Sequence, residues 1–230
     1  MKKILTGNQL KIIALIAMTV DHIGKFLFPD IALLSVIGRL AYPIFGYFIA
    51  EGYFYTRNKT RYFAMVFGVG AICQLVYFVT ERSLYQCIMI TFSLSILLMC
   101  AFDNMQKKKS LISALLAVSV TVAVYFIAEI LPGIFNSTGF GIDYGFWGIV
   151  FPALIYLANG WGFKLGITVA GLMPLAMSIG GIQWFSYLAI PLVAMYNGKR
   201  GKLRMKYLFY IYYPLHLAVI YLIGMRWICK

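Results

Sequence analysis

Polar residues in this chain are sparse and gathered into short breaks, and the stretches between them are apolar almost throughout. Dividing the chain at its polar and Gly/Pro-containing breaks gives nine apolar segments: 10–28, 31–55, 61–80, 84–102, 111–131, 143–158, 162–179, 182–196 and 206–228. A hydrocarbon layer about 30 Å thick is crossed by roughly 20 residues of helix. The pattern therefore predicts an all-α, polytopic transmembrane helical bundle of about nine spans. The weakest segments are 162–179, which contains Pro174 and runs into Gly180-Gly181, and the short 182–196. If one of them is re-entrant, the count is eight.

Composition agrees. Apolar residues make up 62% and charged residues 12% of the chain, against about 45–50% and 25% in soluble domains. That excludes an ordinary soluble protein. In 230 residues with short loops, except for 132–142, the expectation is a single integral membrane domain, 1–230. Any chemistry must then take place among the helices.

Charge adds topology. Twenty Lys and Arg against seven Asp and Glu give +13, and cytoplasmic loops are expected to hold the basic excess. In the nine-span order, Lys2 and Lys3, then Arg57, Lys59 and Arg61, then Lys107, Lys108 and Lys109, then Lys164, then Lys199, Arg200, Lys202, Arg204 and Lys206 all fall on one side. Only Arg82 and Lys230 fall in the alternate loops and the C-terminus. The N-terminus is expected to be cytoplasmic and the C-terminus extracytoplasmic. The basic residues are expected to meet anionic lipid, and no nucleic acid is expected, because no basic groove interleaved with aromatics is present. Residues MKKIL open a retained first helix, since Asp21 and His22 interrupt the apolar run that follows and no small-residue cleavage site appears. Cys73, Cys87, Cys100 and Cys229 are isolated in apolar runs, so neither a disulfide framework nor a metal site is expected.

Ionisable residues inside a membrane helix cost about 2.5–3.5 kcal/mol each on insertion scales, so each needs a reason. Asp21, His22 and Lys25 (segment 10–28), Arg39 (31–55), Gln74 (61–80), Glu129 (111–131) and Asp143 (143–158) fall in the outer half, with His216 near the midplane and Glu51 toward the cytoplasmic end. Structural roles compete for several of them. Asp21 can pair with Lys25 at i, i+4 or with Arg39 at similar depth, Asp143 can cap a helix, Glu129 can face interfacial water, and Glu51 can snorkel or pair. The two histidines are harder to explain structurally. Asp21 and His22 are neighbours that do not face each other, so His22 needs a partner from another helix. A neutral imidazole that takes and returns a proton is the general base of acyl transfer. No GxGxxG, P-loop, HExxH or GxSxG string occurs. Asn197-Gly198-Lys199-Arg200-Gly201-Lys202 lacks the spacing of a phosphate loop, but as a tight basic turn it could hold a phosphorylated ligand or a lipid headgroup.

Several strings resemble the TraX family. They are Met18-Thr-Val-Asp21-His22-Ile-Gly24, then Gly38-Arg39-Leu-Ala-Tyr-Pro43-Ile-Phe45 with Glu51-Gly52-Tyr53, then Asp143-Tyr144-Gly145, Tyr196-Asn197-Gly198-Lys199-Arg200-Gly201, and Tyr213-Pro214-Leu215-His216-Leu217. They span positions 18 to 217 in the family's order; the region 84–142 carries no matching string. The founding TraX protein is the N-acetylase of conjugative pilin, and the family is grouped with the integral membrane acyltransferases. The resemblance implies transfer of an acetyl group from cytoplasmic acetyl-CoA, as co-substrate, across the bacterial cytoplasmic membrane to an amine or hydroxyl acceptor. The acceptor, whether peptide, glycan or small molecule, does not carry over. By resemblance the roles fall on Asp21, His22, Arg39, Glu51, Asp143 and His216.

Together these readings expect His22 or His216 as base, with Arg39 or a Tyr hydroxyl near Pro214, such as Tyr213, at the oxyanion. Lys199, Arg200, Lys202, Arg57 and Arg61 would hold the phosphates, and Glu51, Asp143 and Gln74 the substrate. A ping-pong route through acetyl-histidine is also open. A proton-coupled transporter would use many of the same residues, and an assembly scaffold would use them as helix glue.

Overall fold

All nine segments are helical over most of their length, and the structure is 81% helical. The computed structural model describes residues 3–202 and 206–228. Lys2, Arg204, Cys229 and Lys230, and the side chains of Lys206 and Trp227, lie outside the described residues. The helices are α1 Gly7–Leu27, α2 Ala32–Gly38, α3 Ala41–Tyr55, α4 Lys59–Glu81, α5 Ile88–Lys108, α6 Leu111–Tyr125, α7 Leu131–Ile134, α8 Gly145–Leu157, α9 Trp161–Ile179, α10 Ala189–Ala194 and α11 Lys206–Ile228. A π-helical stretch, Phe126–Ile130, joins α6 to α7, and a 3₁₀ helix, Gly181–Leu188, leads into α10.

Among the described residues, five helical stretches are long and apolar enough to cross a membrane: Ala32–Tyr55, Lys59–Val79, Ile88–Lys108, Leu111–Ile134 and Trp161–Ile179. Shorter apolar helices occupy Gly145–Leu157, Gly181–Ala194 and Tyr210–Gly224. The surface fits an apolar solvent. On α6, Leu111, Ile112, Leu115, Val118 and Val122 are all more than half exposed, a stripe that water would penalise and lipid accepts. This is an integral membrane helical protein. If all nine segments cross, a reporter fused behind the C-terminus is expected to be active only outside the cytoplasm. Activity inside would mean that 162–179 or 182–196 does not cross.

The chain folds as two compact units. One comprises the described residues of Met1–Phe48 and Thr168–Lys230, the other Ile49–Ile167. The chain passes from the first to the second within α3 and returns within α9.

In the first unit, α1 starts with a capping box, which the hydrophobic pattern alone misses. Thr6 N donates to Gln9 Oε1 at 2.9 Å and Gln9 N donates to Thr6 Oγ1 at 3.4 Å, so two otherwise orphaned donors are satisfied. Two more are taken by the basic turn, with Gly7 N donating to Lys199 O and Asn8 N to Arg200 O. Leu5 bridges to Tyr196 beside them, its N donating to Met195 O and its O accepting from Asn197 N. The turn is thereby strapped to the start of α1.

Segment 31–55, read as one span, is two helices that break at Arg39-Leu40. Gly38 ends α2, and Pro43 lacks the N–H that would bond the Arg39 carbonyl in a continuous helix. Segment 182–196 begins as 3₁₀ helix through Leu188 and continues as α10.

In the second unit, α5 packs against α4, α6 and α8, and a two-residue parallel pairing joins β1 (Tyr85–Gln86) to β2 (Gly141–Ile142), with Tyr85 opposite Gly141. Val124, Ala128, Ile142 and Ile149 form a buried cluster beside it. The π-helical stretch lies one turn before Pro132 and presents Glu129, whose Oε1 accepts from Phe146 N at 2.8 Å in the first turn of α8. Glu129 thus meets a helix N-terminus while its side chain stays exposed. Asp143 does not cap α8; the residue at that position is Tyr144, at φ 63° and without a side-chain cap.

Candidate functional site

Four of the residues singled out from the sequence, Asp21, His22, Arg39 and His216, meet in the first unit. Helical periodicity turns Asp21 and His22 to adjacent faces of α1, and each face meets a different partner. On one face, Asp21 Oδ1 accepts from Arg39 Nη2 at 2.9 Å while Oδ2 pairs with Lys25 Nζ at 2.6 Å. Asp21 and Arg39 are buried, and the Lys25 side chain is 51% exposed. Arg39 Nη1 also donates to Gln183 Oε1 at 3.1 Å, and its Nε to Ser35 O at 3.3 Å.

Close approach makes this pairing possible. A Cβ on Gly38 would lie 2.3 Å from Asp21 Cβ, and one on Gly24 would lie 2.7 Å from Leu34 Cβ, so both glycines let α2 lie against α1. Gly38→Ala is expected to cost about 1–3 kcal/mol through overpacking and to lower thermal stability in detergent. Gly68→Ala is the control, because a Cβ there meets nothing within 4 Å. Equal melting temperatures for both variants would refute this account.

On the other face of α1, Thr19, His22 and Phe26 meet α11. Tyr212 OH donates to Thr19 Oγ1 at 2.7 Å, and Thr19 Oγ1 donates to Leu15 O at 2.8 Å. The two imidazoles stand edge to face with centroids 5.0 Å apart, and His216 stacks on Tyr212 at 5.2 Å. Tyr213 is buried beside His216, with ring centroids 5.6 Å apart.

Their tautomers follow from their partners. His22 Nδ1 lies 2.8 Å from Met18 O, and His216 Nδ1 lies 2.9 Å from Tyr212 O. A carbonyl can only accept, so each Nδ1 carries the hydrogen and each Nε2 carries the lone pair. His216 Nε2 lies 3.4 Å from His22 Nδ1 and so accepts a second, longer share of the same hydrogen. That leaves His22 Nε2 as the basic atom, on a ring that is half-buried while His216 is 6% exposed. The partner that His22 required from another helix is a second histidine.

The cations at Lys199, Arg200 and Lys202 are exposed on the turn strapped to the start of α1. Gly7 precedes His22 by fifteen residues, about 22 Å along the helix axis at 1.5 Å per residue.

The remaining residues belong to the second unit, where Glu51, Asp143 and Gln74 have local partners. Glu51 pairs with Lys164. Asp143 Oδ1 accepts from Tyr85 OH at 3.2 Å, and the Asp143 carbonyl accepts from Thr91 Oγ1 at 2.7 Å. Gln74 Nε2 donates to Ser83 O at 3.3 Å. Arg57 and Arg61 are exposed, and the Arg61 backbone N donates to Asn58 Oδ1 at 2.8 Å.

Sequence reasoning missed Thr19, Gln183 and Ser186, and reached Tyr212 only as one of the Tyr hydroxyls near Pro214. Thr19 and Tyr212 stand three and four residues before the histidines, a helical spacing that could have pointed to them. Gln183 is a polar residue inside an apolar segment, the same signal that singled out Gln74.

The fold and the site are those of a helical membrane protein with paired imidazoles and a buried Asp–Arg pair. The sequence model of the family described as "TraX protein" matches residues 6–224, and the chain belongs to the TraX family. Two relatives are also similar. A "probable fimbrial assembly protein FimC, serogroup H1" of Dichelobacter nodosus is 24% identical over 92% of this chain and 93% of its own length. An uncharacterized protein of Rickettsia prowazekii (strain Madrid E) is 46% identical over 63 residues, 27% of this chain and 24% of that protein. The chain thus spans about a quarter of the Rickettsia protein. No solved structure matches.

Proposed function

We propose that this protein is a membrane acyltransferase of the bacterial cytoplasmic membrane that moves an acetyl group from acetyl-CoA to an amine or hydroxyl acceptor. The observation that carries the reading is His22, whose Nε2 lone pair is set by the hydrogen that Nδ1 gives to Met18 and His216. A base needs that arrangement: a fixed tautomer, one nitrogen engaged and the other available. The basic turn at the start of α1 supports it. Lys199, Arg200 and Lys202 would hold the phosphates on the cytoplasmic side, and the long pantetheine arm would cover the distance to His22.

In this reading the acceptor adds to the thioester carbonyl carbon while His22 Nε2 takes its proton, so a C–N or C–O bond forms. The tetrahedral oxyanion collapses, the C–S bond breaks, and the CoA thiolate takes the proton back from the His22 imidazolium. Asp21, Gln183 and the Ser35 carbonyl hold Arg39 as a fixed cation, which would stabilise negative charge developing on the substrate.

The fimbrial assembly name of the Dichelobacter relative supports a pilus- or conjugation-related setting, and an assembly role without chemistry is the second reading. Isotope-labelled acetyl-CoA offered to purified protein separates the two. Release or transfer of label supports the enzyme, whereas no turnover together with pilus assembly that tolerates His22→Ala supports the assembly role.

A further inference from the structure

The 3₁₀ helix Gly181–Leu188 brings two polar side chains into the interior that neither the Asp–Arg pair nor the imidazoles use. A 3₁₀ helix has three residues per turn, so side chains at i and i+3 eclipse. Gln183, Ser186 and Ala189 follow that spacing, and all three are fully buried. Arg39 can only donate, so the Gln183 amide must turn its oxygen to Arg39 Nη1. Its Nε2 then points elsewhere, and neither Gln183 Nε2 nor Ser186 Oγ has a hydrogen-bond partner among the described residues. Two buried donors without partners are costly to keep, and they stand in a cluster where one carboxylate, Asp21, faces two cations, Arg39 and Lys25. That surplus of donors and positive charge suits an oxygen that carries negative charge.

We propose that Gln183 Nε2 and Ser186 Oγ, backed by Arg39, form a buried donor subsite for a carbonyl oxygen of a reacting molecule. The identity of that oxygen rests on the acetyl-transfer reading: it is either the thioester carbonyl, which becomes the oxyanion, or an amide oxygen of the acceptor. Gln183 also sets Arg39, whose other nitrogens are committed to Asp21 and Ser35.

The test uses the purified full chain in detergent, labelled acetyl-CoA, and glycinamide as an amine that carries an amide oxygen. Ser186→Ala removes the hydroxyl alone. Gln183→Glu keeps an oxygen for Arg39 and replaces the donor with an acceptor. Each variant is expected to lose at least about tenfold in kcat with the KM for acetyl-CoA within about twofold. The melting temperature of Ser186→Ala should be equal to or above that of the parent, because no internal bond is lost. If hydrolysis without glycinamide falls together with transfer, the oxygen is the thioester's; if transfer alone falls, it is the acceptor's. Turnover unchanged in both variants would overturn the subsite. If the parent protein itself turns over no acetyl-CoA, the acetyl-transfer reading fails, and the melting temperature decides the subsite alone. A fall in Ser186→Ala would show that the hydroxyl is spent on the fold and would overturn it, whereas an equal or higher value would support a donor kept for a ligand.

Discussion

His22→Ala is expected to abolish acetyl transfer, by at least about 10²-fold in kcat, in a protein that still purifies as a folded monodisperse species. His22 Nε2 is the lone pair left over once Nδ1 has given its hydrogen to Met18 O and, at longer range, to His216 Nε2. Asp21 is committed to Arg39 and Lys25, and His216 Nε2, which the change frees, sits on a buried ring. His216→Ala removes only the longer share of that hydrogen and leaves the bond to Met18. The expected loss is one hydrogen bond of about 0.5–1.5 kcal/mol, roughly tenfold at most. The ratio of the two effects is therefore the informative measurement. A dead His216→Ala beside an active His22→Ala would reverse the roles, and two active variants would remove histidine from the mechanism.

The helices were legible because each is long and apolar, and because the boundaries fall at Pro, Gly and charged residues, as at Phe28-Pro29 after α1. The meeting of Asp21 with Arg39 was also legible. Two opposite charges at one depth on successive helices have few other ways to be tolerated. The break at Arg39-Leu40 was harder to see, since Pro43 is compatible with the first turn of a helix and only the approach of Gly38 to Asp21 makes a fresh start there useful. Gln183 and Ser186 were illegible as a pair for another reason. Three residues apart, they share a face in an α-helix as well, but nothing in the hydrophobic pattern shows that this face turns into the interior. Nor could hydropathy tell that Glu129 would reach the start of α8, because that contact depends on a π-helical stretch beyond the resolution of a hydrophobic pattern. The histidine pair lies between these cases. Both residues stood out by depth, but their contact spans 194 positions of sequence, and only the packing of α11 on α1 creates it.

Arg39→Met is expected to destabilise the first unit strongly. The guanidinium meets Asp21, Gln183 and the Ser35 carbonyl from within the protein, and its loss leaves a buried carboxylate with Lys25 alone, a cation whose side chain is 51% exposed. Removing one partner of a buried pair costs about 3–5 kcal/mol, and the surviving Lys25 contact sets the expectation at the lower end, about 3 kcal/mol. At roughly 2–4 °C per kcal/mol for a chain of this size, the melting temperature should fall by about 6–12 °C. Asp21→Asn is expected to be comparable, since it leaves Arg39 and Lys25 as unneutralised cations. The double variant Asp21→Asn/Arg39→Met should then fall by clearly less than the sum, because the second change removes the charge that the first had stranded. Additive losses in this cycle would mean that the two residues act independently despite their 2.9 Å contact. A melting temperature of Arg39→Met within about 2 °C of the parent would mean that the pair does not hold α2 to α1, and the stabilising role assigned to it would fall.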